Sequence, residues 1–156
     1  MVNDMSYQTI SRVLASWDLA RQRFGCEEKV GIEILFRLFR MEPETKVVFG
    51  FKPTQDIENH PMLCMGVLVH GAHIVKMLDG VLALLGPDAE MLEEIMGQLG
   101  QRHQRHGVKK EYFSLLGDAI RETLASIIGD KFTNEDDAAW KEVFGELSAE
   151  IMTAMN

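Results

Sequence analysis

Three histidines have surroundings that could support metal or cofactor chemistry. His103 and His106 stand three residues apart in the segment QLGQRHQRHGV, which spans residues 98–108. His103 continues an apolar stripe of helical spacing, whereas His106 directly precedes Gly107, where a helix is expected to end. His70 lies near the middle of the apolar stripe of a second long segment. Because an imidazole buried without a partner is unfavourable, two histidines on two apolar faces need an explanation.

Several explanations compete. A lone histidine on an apolar face is more often a core side chain hydrogen-bonded to a neighbour than a ligand. His106 fits the last turn of a helix, where the helix dipole favours a protonated imidazole. For His103 and His70 together, zinc would need three or four protein ligands, and a di-iron bundle would need Glu-x-x-His, which this chain lacks. A haem brings four nitrogens of its own and needs only one or two axial ligands, so it suits the pair better than a bare metal ion.

The bulk properties of the chain limit its class. Its 156 residues suit one domain, and 46% hydrophobic with 26% charged residues is an ordinary globular balance. A net charge of -8 argues against nucleic acid or an anionic membrane surface as the main partner. The start, MVNDMSYQ, does not resemble a signal peptide, and no apolar run reaches the length of a membrane span. Cys26 and Cys64 form no C-x-x-C or C-x-x-C-H motif, which favours reduced thiols, a cytoplasmic location and non-covalent haem.

The elements that must position these histidines are helices. Apolar residues recur with helical spacing, and the four prolines fall at predicted helix starts or in loops. The pattern predicts an all-α protein with long helices over residues 6–23, 27–41, 61–85, up to 106, 109–128 and from 133 onward, and a short turn after Pro43. Thr133 and the acidic residues after it resemble a capping box. Phe49 and Phe51 lie in a predicted loop, where large aromatics need the core or a ligand to pack on.

This arrangement resembles a globin, and among globins it is most similar to neuroglobins and myoglobins, over about residues 8–155. The resemblance rests on the order and spacing of several short features: Trp17, the segment Leu35–Phe39 followed by Pro43 and Phe49, His70-Gly71, Leu99 to His103 before Gly107-Val108, and Lys131 to Thr133 before Trp140. It implies a single globin domain over residues 1–156, with seven to eight helices in a three-over-three arrangement around a haem b.

The resemblance also implies a role for each matching residue. His103 would be the proximal ligand of the iron, and His70 the distal histidine or a sixth iron ligand. Phe49 would wedge the haem in place. The remaining residues would line the pocket or face the haem propionates: Leu35 and Ile74 on the distal side, Leu99 and Val108 on the proximal side, Leu116 at the base, and His73, Arg102, Lys52 and Lys46 near the propionates.

The leading functional hypothesis is reversible binding of O2, CO or NO for storage, transport or sensing. A hypothesis of a different class is redox catalysis at the haem, either NO dioxygenation or nitrite reduction. It would require an external reductase, because the chain has no Gly-rich dinucleotide motif. A third is a haem-free helical interaction module, which would purify colourless. The coordination of the resting iron stays open: Leu35 favours an open sixth position, whereas the similarity to neuroglobins favours His70 as sixth ligand.

Overall fold

The computed structural model describes residues 5–155, so the predicted domain limits, residues 1 and 156, lie outside the described part. The chain forms α1 (Tyr7–Phe24), α2 (Glu27–Met41), a 3-10 helix (Pro43–Phe49), α3 (Pro61–Leu84), α4 (Ala89–Arg105), α5 (Glu111–Ile128), a second 3-10 helix (Gly129–Lys131) and α6 (Asn134–Thr153). No β-strand occurs between residues 5 and 155. The predicted all-α class is confirmed, and α2 has the predicted bounds.

Side-chain caps explain where two of the helices begin. The Ser6 hydroxyl accepts from the backbone N–H of Thr9 at 3.1 Å and starts α1. Thr133 accepts from the N–H of Asp136 at 3.1 Å, and the Asp136 carboxylate accepts from the N–H of Thr133 at 3.0 Å. This reciprocal pair is the predicted capping box, and it starts α6.

The helices α2 and α3 cross at a pair of glycines next to His70. A Cβ added at Gly31 would lie 2.0 Å from the carbonyl oxygen of Gly71, and one added at Gly71 would lie 2.8 Å from the carbonyl carbon of Gly31. Neither position therefore admits a side chain without separating the helices. Because His70 directly precedes Gly71, this close crossing also sets the distance between the His70 backbone and α2.

Two tryptophans attach α1 to the rest of the bundle. The Trp17 indole donates to the Asp79 carboxylate on α3 at 2.6 Å, and Arg21 donates to the same carboxylate at 3.2 Å. The Trp140 indole on α6 donates to the Ser16 hydroxyl at 2.7 Å. Both indole rings are buried, so these hydrogen bonds satisfy polar groups that water cannot reach.

Helix α3 is long and apolar enough to meet a length-and-composition test for a membrane span, which the sequence analysis did not expect. Its most apolar stretch of 18 residues has a mean hydropathy of 1.5, and 39% of that stretch is buried. The difference arises because a window average tolerates the interruptions at His70, His73, Lys76 and Asp79. The core helices of globular proteins pass the same test. Because α3 packs closely on α2 and is hydrogen-bonded to α1, we interpret it as such a core helix.

Candidate functional site

A cavity of about 320 Å³ lies between helices α2, α3, α4 and α5. A second chamber of about 240 Å³ continues it toward α6, and the two share five lining residues: His73, Ile74, His103, Phe113 and Leu116. Most side chains that line either chamber are apolar, and none of the described lining residues is Asp or Glu. The site is therefore an apolar compartment into which histidines from different helices open.

His103 is held in one orientation by its own helix. Its Nδ1 lies 2.6 Å from the carbonyl oxygen of Leu99, one turn earlier in α4. Because a carbonyl only accepts, Nδ1 must carry the hydrogen, and Nε2 of the neutral ring therefore keeps its lone pair. The buried Phe113 ring packs edge-on against the imidazole at a centroid distance of 5.3 Å. An imidazole fixed through one nitrogen and open at the other is typical of a metal ligand.

The ring of His70, on α3, has fewer contacts that fix its orientation than the ring of His103 has on α4. Its ring packs edge-on against Phe49 at 5.2 Å, and Phe49 in turn packs against Phe39 at 5.5 Å. Within residues 5–155 the His70 ring makes no hydrogen bond, and the residue is exposed toward the cavity. The orientation of the His70 ring is therefore set by aromatic packing and not by a hydrogen bond within the described residues.

The structure brings most of the predicted site residues together. Eight of them line the first chamber: His103, His70, Phe49, Leu35, Ile74, His73, Val108 and Leu116. Leu99 lines the second chamber. These placements agree with the expected positions around a haem, while the individual roles stay predictions.

Three predicted propionate partners line neither chamber, and their role toward the propionates stays a prediction. Arg102 and Lys52 are exposed and line neither chamber. Lys46 donates from Nζ to the carbonyl oxygens of Pro53 and Gln55, at 3.1 and 2.8 Å, and so holds the loop before α3. The positions of these residues in the sequence did not predict the directions of their long side chains.

Some cavity residues were missed by the sequence analysis. His106 ends α4 as predicted, but it also lines the first chamber. Tyr112 and Phe113, with the buried Thr45, line it as well. The helical spacing of Phe113 with Leu116 was a usable signal for α5, because both residues lie on one face of the helix.

The donor set of the cavity fits a planar cofactor that brings its own ligands. Across residues 5–155 no group of three or more His, Cys, Asp or Glu side chains is arranged to hold a metal ion. The cavity instead offers His103 with a free Nε2, a second histidine, His70, and apolar walls. A haem needs one or two axial nitrogens and an apolar pocket of this kind. Fold and site thus define an all-helical protein with a haem-type pocket.

Comparison with known proteins identifies the family. The globin family model matches residues 32–151. The anaerobic nitrite reductase NSHB5 of Oryza sativa subsp. japonica is 26% identical over 147 residues, which cover 92% of this chain and 90% of that protein. The neuroglobin of Tetraodon nigroviridis is 26% identical over 125 residues, 78% of this chain and 76% of that one. The chain belongs to the globin family.

A solved structure agrees on the fold. The hexacoordinated haem protein from an anhydrobiotic tardigrade, crystallised at pH 4, superposes with a TM-score of 0.76 at 18% identity, covering 97% of this chain and 95% of that one. Since globins are haem proteins, membership of the family makes haem, with its iron, the cofactor of this chain. The prediction of haem is confirmed at the level of the family.

Proposed function

We propose that this globin binds O2, and also CO and NO, reversibly at a haem held by His103, with His70 facing the gas-binding side. The observation that supports this most directly is the hydrogen bond from His103 Nδ1 to the Leu99 carbonyl, which leaves Nε2 open toward the cavity. Haem held by a single histidine supplies an iron position at which diatomic gases bind.

Different residues of the cavity would hold the haem, exclude water and stabilise the bound gas. His103 provides one neutral nitrogen in a fixed orientation, because the Leu99 carbonyl and the Phe113 ring limit rotation of the imidazole. Leu35 and Ile74 form an apolar wall on the side of His70 and reduce access of water. A gas ligand with partial negative charge accepts a hydrogen bond from His70, which is worth about 1.5–3 kcal/mol, or about ten- to a hundredfold in affinity.

His70 has a second arrangement available. No hydrogen bond within residues 5–155 restrains its ring, and a rotation toward the cofactor would let His70 serve as a second iron ligand in place of a gas. Gas binding would then wait for His70 to leave. In this state sensing or redox chemistry would take precedence over storage.

Nitrite reduction with an external electron donor is a second candidate function. The observation that favours it is the similarity to a plant protein named as an anaerobic nitrite reductase, which matches over 92% of this chain. Nitrite and O2 would use the same cavity, so the rate at which nitrite oxidises the ferrous protein under argon tests this candidate.

The first test is the visible absorption spectrum of the dithionite-reduced protein under argon. A single broad band would indicate five-coordinate iron with an open position and support gas storage or transport. Two sharp bands would indicate six-coordinate iron and favour sensing or redox chemistry. A protein that stays colourless with added haemin would contradict the proposal altogether.

The role of His70 is tested by the His70→Leu variant. We expect its O2 dissociation rate to rise about ten- to a hundredfold, from loss of one hydrogen bond to a charged acceptor. His73→Leu is the matched control, because His73 lies one turn further along α3 and also lines the cavity. Equal O2 dissociation rates in wild type and His70→Leu would remove His70 from the proposed mechanism.

We further propose a cytoplasmic location. Cys26 and Cys64 are both free thiols in the structure, which suits a reducing compartment. Cell fractionation followed by detection of the haem protein tests this proposal.

A further inference from the structure

The cavity borders on a strongly basic segment of an otherwise acidic chain. Residues 99–110 contain Arg102, Arg105, Lys109 and Lys110 and no Asp or Glu, whereas the whole chain has a net charge of -8. All four side chains are exposed. This short stretch, at the end of α4 and the start of α5, therefore carries four of the 16 Lys and Arg residues of the chain with no acidic residue among them.

The two arginines of this segment differ from the other arginines of the structure. Five arginines form ion pairs with carboxylates: Arg12, Arg21, Arg37, Arg40 and Arg121. Arg23 donates to the carbonyl oxygen of Ile127. The side chains of Arg102 and Arg105 form neither an ion pair nor a hydrogen bond with any residue from 5 to 155. Within the described residues, the positive charge of these two side chains is therefore not offset by a carboxylate.

The basic segment forms one edge of the cavity. His103, His106 and Val108 lie within it, and all three line the first chamber. The Lys109 ammonium lies 6.0 Å from the centre of the Tyr112 ring, another lining residue. No carboxylate among the described lining residues offsets this charge. An acidic body approaching the protein would therefore be guided to the edge of the cavity.

We infer that this edge is the docking surface for an acidic electron-carrier protein. The inference rests on the proposed haem site, since docking at this edge brings a carrier close to a cofactor in the cavity. Charge complementarity argues for the acidic partner: four exposed cations attract it, while the acidic remainder of the chain repels it and so selects one orientation. The same acidic remainder disfavours an anionic membrane, which presents negative charge to a wide area of the protein.

Binding to an oxidised, acidic [2Fe–2S] ferredoxin tests the inference. Its affinity for the haem-loaded protein is measured by isothermal titration calorimetry at low and high ionic strength, with no turnover required. We expect binding at about 20 mM salt to weaken at least about tenfold at about 200 mM, because added salt screens exposed charges. Salt-independent binding, or no binding at low salt, would overturn the inference.

Charge-neutralising variants locate the surface. Arg102→Gln/Arg105→Gln should weaken ferredoxin binding about tenfold at low salt. Lys29→Gln/Lys131→Gln removes the same charge from exposed positions elsewhere and should change it less than about twofold. Equal weakening by both pairs would show that net charge alone matters and would contradict a docking surface. Glutamine keeps a good helix former at both positions of α4.

Two further measurements separate this inference from the proposed function and from a membrane partner. The absorption spectrum of each variant reports haem binding directly, so loss of haem and loss of docking are distinguished. Co-sedimentation with vesicles of phosphatidylserine and phosphatidylcholine is compared with ferredoxin binding at the same salt. Tighter binding to the vesicles than to ferredoxin would overturn the choice of an acidic protein.

Discussion

The two sides of the cavity hold their histidines with different rigidity. On α4, His103 is fixed by a hydrogen bond to Leu99 and by a buried aromatic ring, Phe113. On α3, His70 makes an aromatic contact with Phe49 and no hydrogen bond within residues 5–155. Both helices are held by close backbone approaches, because a Cβ added at Gly31 would lie 2.0 Å from the Gly71 carbonyl oxygen and one added at Gly100 on α4 would lie 2.3 Å from the Ile151 carbonyl oxygen. The two sides therefore differ in the side chain and not in the backbone: the His103 ring has a hydrogen bond and an aromatic contact, and the His70 ring has an aromatic contact.

This difference suits the two proposed roles. A permanent ligand must already have the correct ring orientation when the cofactor binds, and a hydrogen bond from the second ring nitrogen provides it. A side chain that alternates between assisting a gas ligand and replacing it must move, while its Cα stays at a constant distance from the cofactor. Variants on each side of the cavity test these roles.

The largest effect is expected from Gly31→Ala, which disturbs the His70 side through its backbone. The new methyl group would overlap the Gly71 carbonyl, at 2.0 Å, and force α2 and α3 apart. We expect the free energy of unfolding to fall by about 3 kcal/mol, measured by denaturant titration. Gly97→Ala is the control, since a Cβ there meets no atom within 4 Å and should leave stability unchanged or slightly raised. Similar stability of the two variants would contradict the tight crossing.

The next largest effect is expected from His103→Ala, which removes the proposed iron ligand and should lower the affinity for haem. We expect a loss of at least about a hundredfold, because even a residue behind a metal ligand contributes ten- to a hundredfold to affinity. The measurement is the rate of haem transfer to an excess of an apo-acceptor protein. The control is His106→Ala, which removes a second cavity histidine from the same segment. If His106→Ala released haem faster than His103→Ala, the assignment of the ligand would be wrong.

A smaller effect is expected from Phe113→Leu, which loosens the packing around His103. Stability should fall by about 1 kcal/mol, and the iron–histidine stretching frequency of the ferrous protein should shift as the imidazole gains freedom. Phe144→Leu shortens another lining aromatic, and no aromatic contact to His103 is found for Phe144 within residues 5–155. The control should lose similar stability without the frequency shift. A shift in both variants would indicate general loosening of the cavity.

The smallest effect is expected from Phe49→Leu, which alters the aromatic ring packed against His70. The edge contact between Phe49 and His70 is worth about 0.5 kcal/mol, so its loss should change the balance between the two proposed arrangements of His70 about twofold. Rapid mixing of the ferrous protein with CO measures this change as a difference in binding rate. Phe51→Leu alters a neighbouring aromatic that packs near Gly66 instead of His70 and should leave the rate unchanged. A change of tenfold or more at Phe49 would mean that His70 is as firmly held as His103.

Much of the fold was determined by local features of the sequence. Helical spacing and caps act within a few residues, so the bounds of α2 and the capping box of Thr133 and Asp136 were predictable. The pairing of His70 with His103 was also predictable, because each histidine continues an apolar stripe that must face the interior. The order and spacing of these features were sufficient to indicate the globin family.

Other features were decided only by the tertiary structure. Arg102 is the neighbour of His103 in sequence, yet its side chain lies outside the cavity, and Lys46 holds a loop instead of lining the site. Long side chains have several rotamers of similar energy, and contacts from other parts of the chain select among them. The approach of Gly31 to Gly71 likewise depends on two helices meeting across the bundle. Local sequence determines helices and their faces, whereas long-range packing determines which side chains share one cavity.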